Sequence, residues 1–146
     1  MTAPLLQTWR LRCDGGARGN PGPAAFGFVL QDPSGAETEA RGEYLGPATN
    51  NVAEYRGLIA GLEAAAERGV TDLEVNMDSE LVVRQMTGEY RVKNEGLKPL
   101  NAAARKAAAR IPQLKYVSVR REANTRADQL VNETLDRILG GSESPR

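Results

Sequence analysis

Two stretches in which apolar and polar residues alternate each end in an aspartate, and this arrangement constrains the fold more than any other feature. Residues 9–13 alternate and Asp14 follows them, while residues 73–77 alternate and Asp78 follows. A period of two is typical of a β-strand. Both aspartates hold the same position relative to their strands, so their carboxylates would be adjacent if the strands were parallel neighbours. Ligands in open α/β sheets bind beyond the carboxyl ends of the strands, where both acids would lie.

The rest of the chain continues the alternation of strand and helix patterns that is typical of an α/β domain. Residues 15–23 are rich in glycine and proline, which predicts a turn after the first strand ends at Asp14. Hairpin-loop residues at 32–35 predict that the first three strands form an antiparallel meander. Further strands are predicted at 24–30, 36–45 and 114–119, and helices at 52–68, 80–86, 97–110 and 124–139.

Composition limits the remaining possibilities. The chain has 146 residues, one cysteine and no histidine, and this is the size of one ordinary domain. We expect a single domain over residues 1–146, ordered from about 8 to 139 and with a flexible tail over 140–146. The lone Cys13 forms no internal disulfide, which fits a reducing compartment. With no export signal pattern and no apolar run near the ~20 residues of a membrane span, we expect a cytoplasmic monomer without membrane contact.

Two further acids join the strand-end aspartates as candidate metal ligands. Glu54 shares a helical stripe with Leu58 and Leu62, so it would point inward from the first turn of its helix. A buried carboxylate without a partner is unfavourable, and a cation would supply the partner. Asp128 lies early in the last predicted helix, where a helix-dipole role is the competing explanation. Because no imidazole is present, the four acids favour Mg²⁺ or Mn²⁺ over zinc.

The zero net charge hides an asymmetry along the chain. Residues 37–80 contain 10 acidic and 3 basic side chains, and residues 84–121 contain 10 basic and 2 acidic ones. Charges of this kind commonly do no more than solvate a surface. The alternative is an acidic metal site beside a surface that attracts phosphates, as a nuclease needs.

Four short motifs, in order and at matching spacing, resemble those of the type 1 ribonuclease H family over about residues 8–139. One such motif alone is a weak signal, whereas four in order are specific. The motifs are Asp14–Ala24 (DGGARGNPGPA), Asn50–Glu54 (NNVAE), Met77–Ser79 (MDS) and Asn124–Asp128 (NTRAD).

The resemblance implies a ribonuclease H-like α/β fold, which is a five-stranded mixed sheet with helices on both faces. The antiparallel meander would adjoin parallel first, fourth and fifth strands. It also implies an endoribonuclease that hydrolyses the RNA strand of RNA/DNA hybrids and leaves 5′-phosphate and 3′-hydroxyl ends. Two Mg²⁺ or Mn²⁺ ions would serve, one activating a water and the other stabilising the leaving oxygen. They would be bound by Asp14, Glu54, Asp78 and Asp128.

The resemblance further implies a groove for the hybrid, in which the 2′-hydroxyl groups of RNA are read by backbone groups and small polar side chains. Glycine would permit close approach of the backbone there. The residues expected to line the groove are Gly15, Gly16, Asn20 and Asn51, with Asn50, Ser79 and Asn124 as further substrate-binding candidates.

The sequence departs from the best-known members of that family before the last helix. Residues 119–124 form a short loop without histidine, similar to a branch of the family that lacks this residue. Arginine stays protonated at any working pH, so Glu122 is the loop's only candidate to assist proton transfer in place of the histidine. The alternative is that Glu122 pairs with a neighbouring arginine, which would be Arg120, Arg121 or Arg126.

A second departure concerns the grip on the substrate. Residues 87–96 are too few to hold the basic protrusion that some members use, and they contain no tryptophan. We therefore predict that Arg84, Arg91 and Lys93 contact the phosphates, with simple solvation of these side chains as the alternative.

Two other functions stay open from the sequence. One is a different metal-dependent nuclease or strand-transfer enzyme on the same fold, because a fold does not determine a function. The other is a binding module for nucleic acid without catalysis, although such a module tends to lose acids and this chain keeps four. Cleavage of double-stranded RNA also stays open.

Overall fold

The computed structural model describes residues 7–140. Its strands are β1 (Trp9–Ala17), β2 (Gly22–Gln31), β3 (Glu37–Ala48), β4 (Asp72–Met77) and β5 (Gln113–Ser118). Its α-helices are α1 (Asn50–Glu67), α2 (Glu80–Thr87), α3 (Lys98–Ala108) and α4 (Thr125–Leu135). A 3₁₀ turn (Arg121–Ala123) precedes α4, and a π-helical turn (Asp136–Gly140) follows it. Apart from Gly140, the predicted flexible tail lies outside the described residues.

All five strands form one mixed sheet, as predicted. The order across the sheet is β3-β2-β1-β4-β5. β1 pairs antiparallel with β2, and β2 pairs antiparallel with β3. β4 lies parallel to β1, and β5 lies parallel to β4. The carboxyl ends of β1, β4 and β5 therefore point toward the same edge of the sheet.

The sheet carries helices on both faces, which confirms the prediction. A Cβ atom added to Gly57 of α1 would lie only 2.8 Å from the carbonyl oxygen of Asp14 and 3.1 Å from Cβ of Phe26. A Cβ atom added to Gly27 would lie only 2.8 Å from Cβ of Leu130 in α4. Neighbouring strand residues point to opposite faces, so Phe26 and Gly27 place α1 and α4 on opposite sides of the sheet.

The main hydrophobic core lies between the sheet and α1. The apolar stripe of α1 includes Leu58 and Leu62, both with no exposed surface, and they belong to one buried cluster with Leu11, Phe28 and Val75. Within residues 7–140, none of the helices is both long enough and apolar enough to cross a membrane.

The first strand is longer than predicted, because Asp14 does not end it. The ladder between β1 and β2 continues from Asp14 opposite Gly27 to Ala17 opposite Ala24. The expectation of a turn over the whole of residues 15–23 was therefore wrong, since β-ladder pairing outweighs the turn preference of two consecutive glycines. In contrast, Asp78 directly follows the last residue of β4, as predicted.

Candidate metal centre and nucleic-acid interface

The parallel pairing of β1 and β4 brings the two aspartates together. Trp9 pairs with Leu73 and Arg12 pairs with Asn76, and this constant offset of 64 residues, continued by two positions, sets Asp14 level with Asp78. Ser79 follows Asp78 and caps α2, because its hydroxyl accepts a hydrogen bond from the backbone N–H of Val82. The chain direction therefore changes directly after Asp78.

Glu54 reaches the same place from the first turns of α1. This helix is capped by the preceding residue, Thr49, whose hydroxyl accepts a hydrogen bond from the N–H of Val52. Gly57 lets the helix lie against the backbone of Asp14, and Gly15 does the same for the turn that carries Glu54, because a Cβ there would collide with the backbone of Ala53. One carboxylate oxygen each of Asp14, Glu54 and Asp78 lies within 4.8 Å of the others.

These three acids lie in surroundings that disfavour their charge. Burial raises the pKa of Asp14 to about 8, and the negative charges of Asp78 and Asp128 add to the effect. Burial also raises the pKa of Glu54 well above its usual value, with Asp14 and Asp78 adding to it and Arg121 opposing it. The pKa of Asp78 is raised in the same way by burial, and Arg121 again opposes the shift.

A divalent cation fits these residues. Oε1 of Glu54 is buried and has no hydrogen-bond partner among the described residues. The three converging groups offer oxygen ligands, which Mg²⁺ and Mn²⁺ prefer. A cation would lower the pKa of all three acids and supply the partner that the Glu54 oxygen lacks. The predicted metal ligands Asp14, Glu54 and Asp78 thus lie together.

The fourth predicted ligand, Asp128, lies beside this cluster. It lies in the first turn of α4, and its charge and hydrogen bonding to Asp14 help to raise the pKa of Asp14. It is not part of the group whose oxygens lie within 4.8 Å of one another. Its Oδ2 instead accepts a hydrogen bond of 3.2 Å from Nδ2 of Asn132, one turn later in the helix.

The short loop before α4 adds a cation that the sequence alone did not single out. Nε of Arg121 lies 3.8 Å from Oδ2 of Asp78, although the side chain is 83% exposed. Arg121 and Arg120 are adjacent and chemically alike in the sequence, so only the turn geometry distinguishes them. Glu122 is exposed and lines a cleft together with Glu54 and Asp78.

The alternative role for Glu122, pairing with an arginine, finds no support in the described residues. Arg121 lies near Asp78, and Arg126 pairs with Glu37 at 3.0 Å. No ion pair joins Glu122 to Arg120 in residues 7–140 either. Its proposed role in proton transfer stays a prediction.

Several of the predicted substrate-binding residues lie where the β1–β2 turn meets the start of α1. Asn20 and Asn50 are exposed, and their side-chain oxygens are used within the protein. Oδ1 of Asn20 accepts from the N–H of Asn50 at 3.0 Å, and Oδ1 of Asn50 accepts from the N–H of Ala17 at 2.8 Å. These bonds tie the β1–β2 turn to the start of α1, and they leave both amide Nδ2 groups for a ligand. Asn51 and Gly16 are partly exposed next to them.

Asn124 does not fit the substrate-binding role that the sequence suggested. The residue has no exposed surface, and its Nδ2 donates to the carbonyl oxygen of Cys13 at 2.9 Å. It therefore ties the loop before α4 to β1 next to Asp14, and a bound nucleic acid would not reach it. Its side-chain hydrogen bonding also lowers the pKa of Asp78, although burial outweighs this effect.

The three predicted phosphate contacts differ from one another. Arg84 is held by Glu80 at 2.8 Å, and its guanidinium lies 5.5 Å from the ring centre of Tyr90, so it is already engaged. Arg91 and Lys93 are exposed in the segment between α2 and α3. Within residues 7–140, neither side chain forms an ion pair. Neither residue lines the cleft beside Glu54 and Asp78 or the cleft beside Asp14 and Asp128.

Comparisons with known proteins agree with this arrangement. A family model described as "Reverse transcriptase-like" matches residues 12–134. The Bifunctional protein Rv2228c of Mycobacterium tuberculosis is 47% identical over 128 residues, which cover 86% of this chain and 35% of that protein. The chain thus spans about a third of the length of this relative. Ribonuclease HI of Halobacterium salinarum is 45% identical over 123 residues, covering 84% of this chain and 62% of that protein.

Solved structures give the same result. The N-terminal RNase H domain of rv2228c from M. tuberculosis superposes with a TM-score of 0.88 at 42% identity, covering 92% of this chain and 98% of that one. LC11-RNase H1 in complex with an RNA/DNA hybrid superposes with a TM-score of 0.85 at 46% identity, covering 90% and 99%. From the four motifs, the strand order and these matches, the chain belongs to the type 1 ribonuclease H family.

Proposed function

We propose that this chain is an endoribonuclease that hydrolyses the RNA strand of RNA/DNA hybrids, leaving 5′-phosphate and 3′-hydroxyl ends, with two Mg²⁺ or Mn²⁺ ions. The observation that carries the proposal is the convergence of Asp14, Glu54 and Asp78 within 4.8 Å, with an unpartnered buried oxygen on Glu54. Structural buried acids are ordinarily paired with a base or a hydrogen-bond donor. An acid cluster of this kind is what a cation site requires.

The four acids hold the cations in this proposal. When bound, the cations would supply an activated water and stabilise the oxygen that leaves the phosphorus. Arg121, at 3.8 Å from Asp78, brings a positive charge to the edge of the cluster, where it favours the approach of a phosphate. Glu122 lines the same cleft and would exchange a proton with solvent.

The substrate groove adjoins the acids on the side of the β1–β2 turn. A second cleft is lined by Asp14, Gly16, Asn50 and Asp128, among others. The amide Nδ2 groups of Asn20 and Asn50 are suited to hydrogen-bond 2′-hydroxyl groups and base edges in the wide minor groove of a hybrid. The similarity to LC11-RNase H1, which was solved with an RNA/DNA hybrid, supports the same substrate here.

The test is a cleavage assay with labelled RNA/DNA hybrid, double-stranded RNA and double-stranded DNA, each with Mg²⁺, Mn²⁺ or EDTA. We expect cleavage of the RNA strand of the hybrid only when a metal is present. Asp78→Asn should abolish cleavage and retain hybrid binding, because it removes the charge of a ligand while an amide of nearly the same shape keeps its place in the fold. Near-wild-type turnover by a folded Asp78→Asn protein would contradict the metal assignment.

The same assay separates the alternatives. Binding without cleavage under all metal conditions would favour a non-catalytic nucleic-acid module, and cleavage of double-stranded DNA would favour another metal-dependent nuclease. The double-stranded RNA arm decides whether that duplex is a second substrate. The monomeric state and the cytoplasmic location stay predictions.

A further inference from the structure

Asp128 is the acid whose position the rest of the cluster explains least. Asp14 and Asp78 are fixed by neighbouring parallel strands, and Glu54 is fixed by α1 packing on the backbone of Asp14. Asp128 projects from the first turn of α4 and is only partly buried. A carboxylate in that position has several open rotamers unless a donor holds it.

Asn132 is the donor. Its Nδ2 donates to Oδ2 of Asp128 at 3.2 Å. Among residues 7–140, no other amide or basic side chain has a hydrogen bond to the Asp128 carboxylate. Both residues line the same cleft as Asp14. The spacing of four residues places Asn132 directly above Asp128 on one face of the helix.

The main chain at Asn132 is contacted from the turn between β1 and β2. Nη2 of Arg18, in the turn between β1 and β2, lies 3.5 Å from the carbonyl oxygen of Asn132. The same guanidinium nitrogen pairs with Oδ1 of Asp136 at 2.7 Å. These contacts link the turn after Asp14 to the helix that carries Asp128, and they hold the main chain of Asn132, from which its side chain reaches Asp128.

We propose that Asn132 is a positioning residue that orients the Asp128 carboxylate for metal binding. This inference rests on the proposed function, since it concerns how the same site holds its cation. Groups that hydrogen-bond a metal-binding carboxylate typically affect metal affinity or activity by about 10- to 100-fold when they are removed.

The competing explanation is that the Asn132–Asp128 bond is one more surface pair on a helix. The same helix offers a matched control. Nε2 of Gln129 donates to Oε2 of Glu133 at 2.7 Å, which is also an amide-to-carboxylate bond across four residues, and neither residue lines the clefts at the acids. Gln129→Ala therefore removes the same kind of bond from the same helix without touching Asp128.

The experiment compares the wild type, Asn132→Ala and Gln129→Ala in the full chain. Calorimetric titration with Mn²⁺ alone, without nucleic acid, measures metal affinity, and urea unfolding in EDTA measures stability. Alanine is the better helix former, so Asn132→Ala should fold at least as well as the wild type. We expect Asn132→Ala to weaken Mn²⁺ binding about 10-fold or more, and Gln129→Ala to leave it unchanged. Asn132→Gln, which keeps the amide, should recover part of the loss.

Cleavage assays then separate positioning from substrate contact. Asn132→Ala should raise the Mg²⁺ concentration for half-maximal turnover and leave KM for the hybrid unchanged at saturating metal. Equal Mn²⁺ affinity in Asn132→Ala and the wild type, or an equal loss in Gln129→Ala, would overturn this inference alone. If the wild type bound no Mn²⁺, the proposed function would fail and this inference with it.

Discussion

Asp14→Asn should make the metal-free protein more stable at neutral and alkaline pH, even though it removes a proposed metal ligand. Asp14 is 6% exposed as a residue, and burial together with Asp78 and Asp128 raises the pKa of its carboxyl group from 3.8 to about 8. An acid with a raised pKa favours the folded state while it is protonated. Its contribution is therefore complete below about pH 4 and is lost as the pH rises toward 8.

The size of the effect follows from the same shift. At pH 8, which is about 4 units above the ordinary pKa of this group, each unit corresponds to about 1.4 kcal/mol and the folded group is half ionised, so the penalty has a ceiling of about 5 kcal/mol. Water at the open side of the cluster relieves part of the repulsion. We expect Asp14→Asn to recover about 2 kcal/mol, which is less than half of that ceiling and corresponds to a rise in Tm of roughly 8 °C for a domain of this size.

Urea unfolding in EDTA at pH 4 and at pH 8 measures this gain as a shift in midpoint at constant slope. The gain should be present at pH 8 and nearly absent at pH 4. Asp32→Asn is the matched control, because hydrogen bonding from Ser34 lowers the pKa of Asp32, so its loss should bring no gain. Mg²⁺ should stabilise the wild type more than Asp14→Asn. If Asp14→Asn were no more stable than the wild type at pH 8 without metal, electrostatic strain in the acid cluster would be refuted.

Two further predictions concern the substrate. If Arg91 and Lys93 contact phosphates, Arg91→Ala and Lys93→Ala should each reduce the slope of log hybrid affinity against log salt concentration by about 0.9, or somewhat less for a hybrid. Arg10→Ala, at the other end of β1, should leave that slope unchanged. Unchanged slopes in the first two variants would show that both residues are merely solvated. Glu122→Gln should lower turnover with little change in hybrid affinity, whereas Glu63→Gln on the exposed face of α1 should change neither. If the single-turnover rate and the steady-state rate of Glu122→Gln both equalled those of the wild type, Glu122 would take no part in proton transfer.

Strand pairing and helix placement could be predicted from the sequence, because apolar periodicity reports which side chains are buried. The parallel alignment of Asp14 with Asp78 followed from the equal position of each acid after its alternating stretch, and it agrees with the register of β1 and β4 when that register is continued by two positions. The end of β1 could not be predicted in this way. Gly15 and Gly16 continue the ladder to β2 although their composition is typical of a turn, since the pairing partner is distant in sequence.

The predicted site residues differ in how local their signals are. Glu54 points inward because of its helical stripe, which is a local signal, and its oxygen is buried. The burial of Asn124 depends on a hydrogen bond to Cys13, which is 111 residues away in the chain, and no local pattern reveals it. Arg121 was missed for the same reason, because its distance from Asp78 depends on the path of the loop before α4.

Asn132 illustrates a signal that was present and went unused. It lies four residues after Asp128, and that spacing alone places an amide over a candidate metal ligand on one helix face. The sequence does not reveal the hydrogen bond from Arg18 to the main-chain carbonyl of Asn132, which joins the glycine-rich turn to α4.

The glycines of the first motif connect the fold to the chemistry. The sequence suggested that Gly15 lines the substrate groove, and Gly15 does border the cleft beside Asp14. It also meets a packing need that exists without substrate, because a side chain there would collide with the backbone of Ala53. Gly57 is needed from the other side, where a Cβ would lie 2.8 Å from the carbonyl oxygen of Asp14. Together these two glycines let the first turns of α1 approach β1 closely enough to bury the Glu54 oxygen beside Asp14. The carboxylates whose repulsion a cation would relieve are therefore brought together by close backbone contacts at these two glycines.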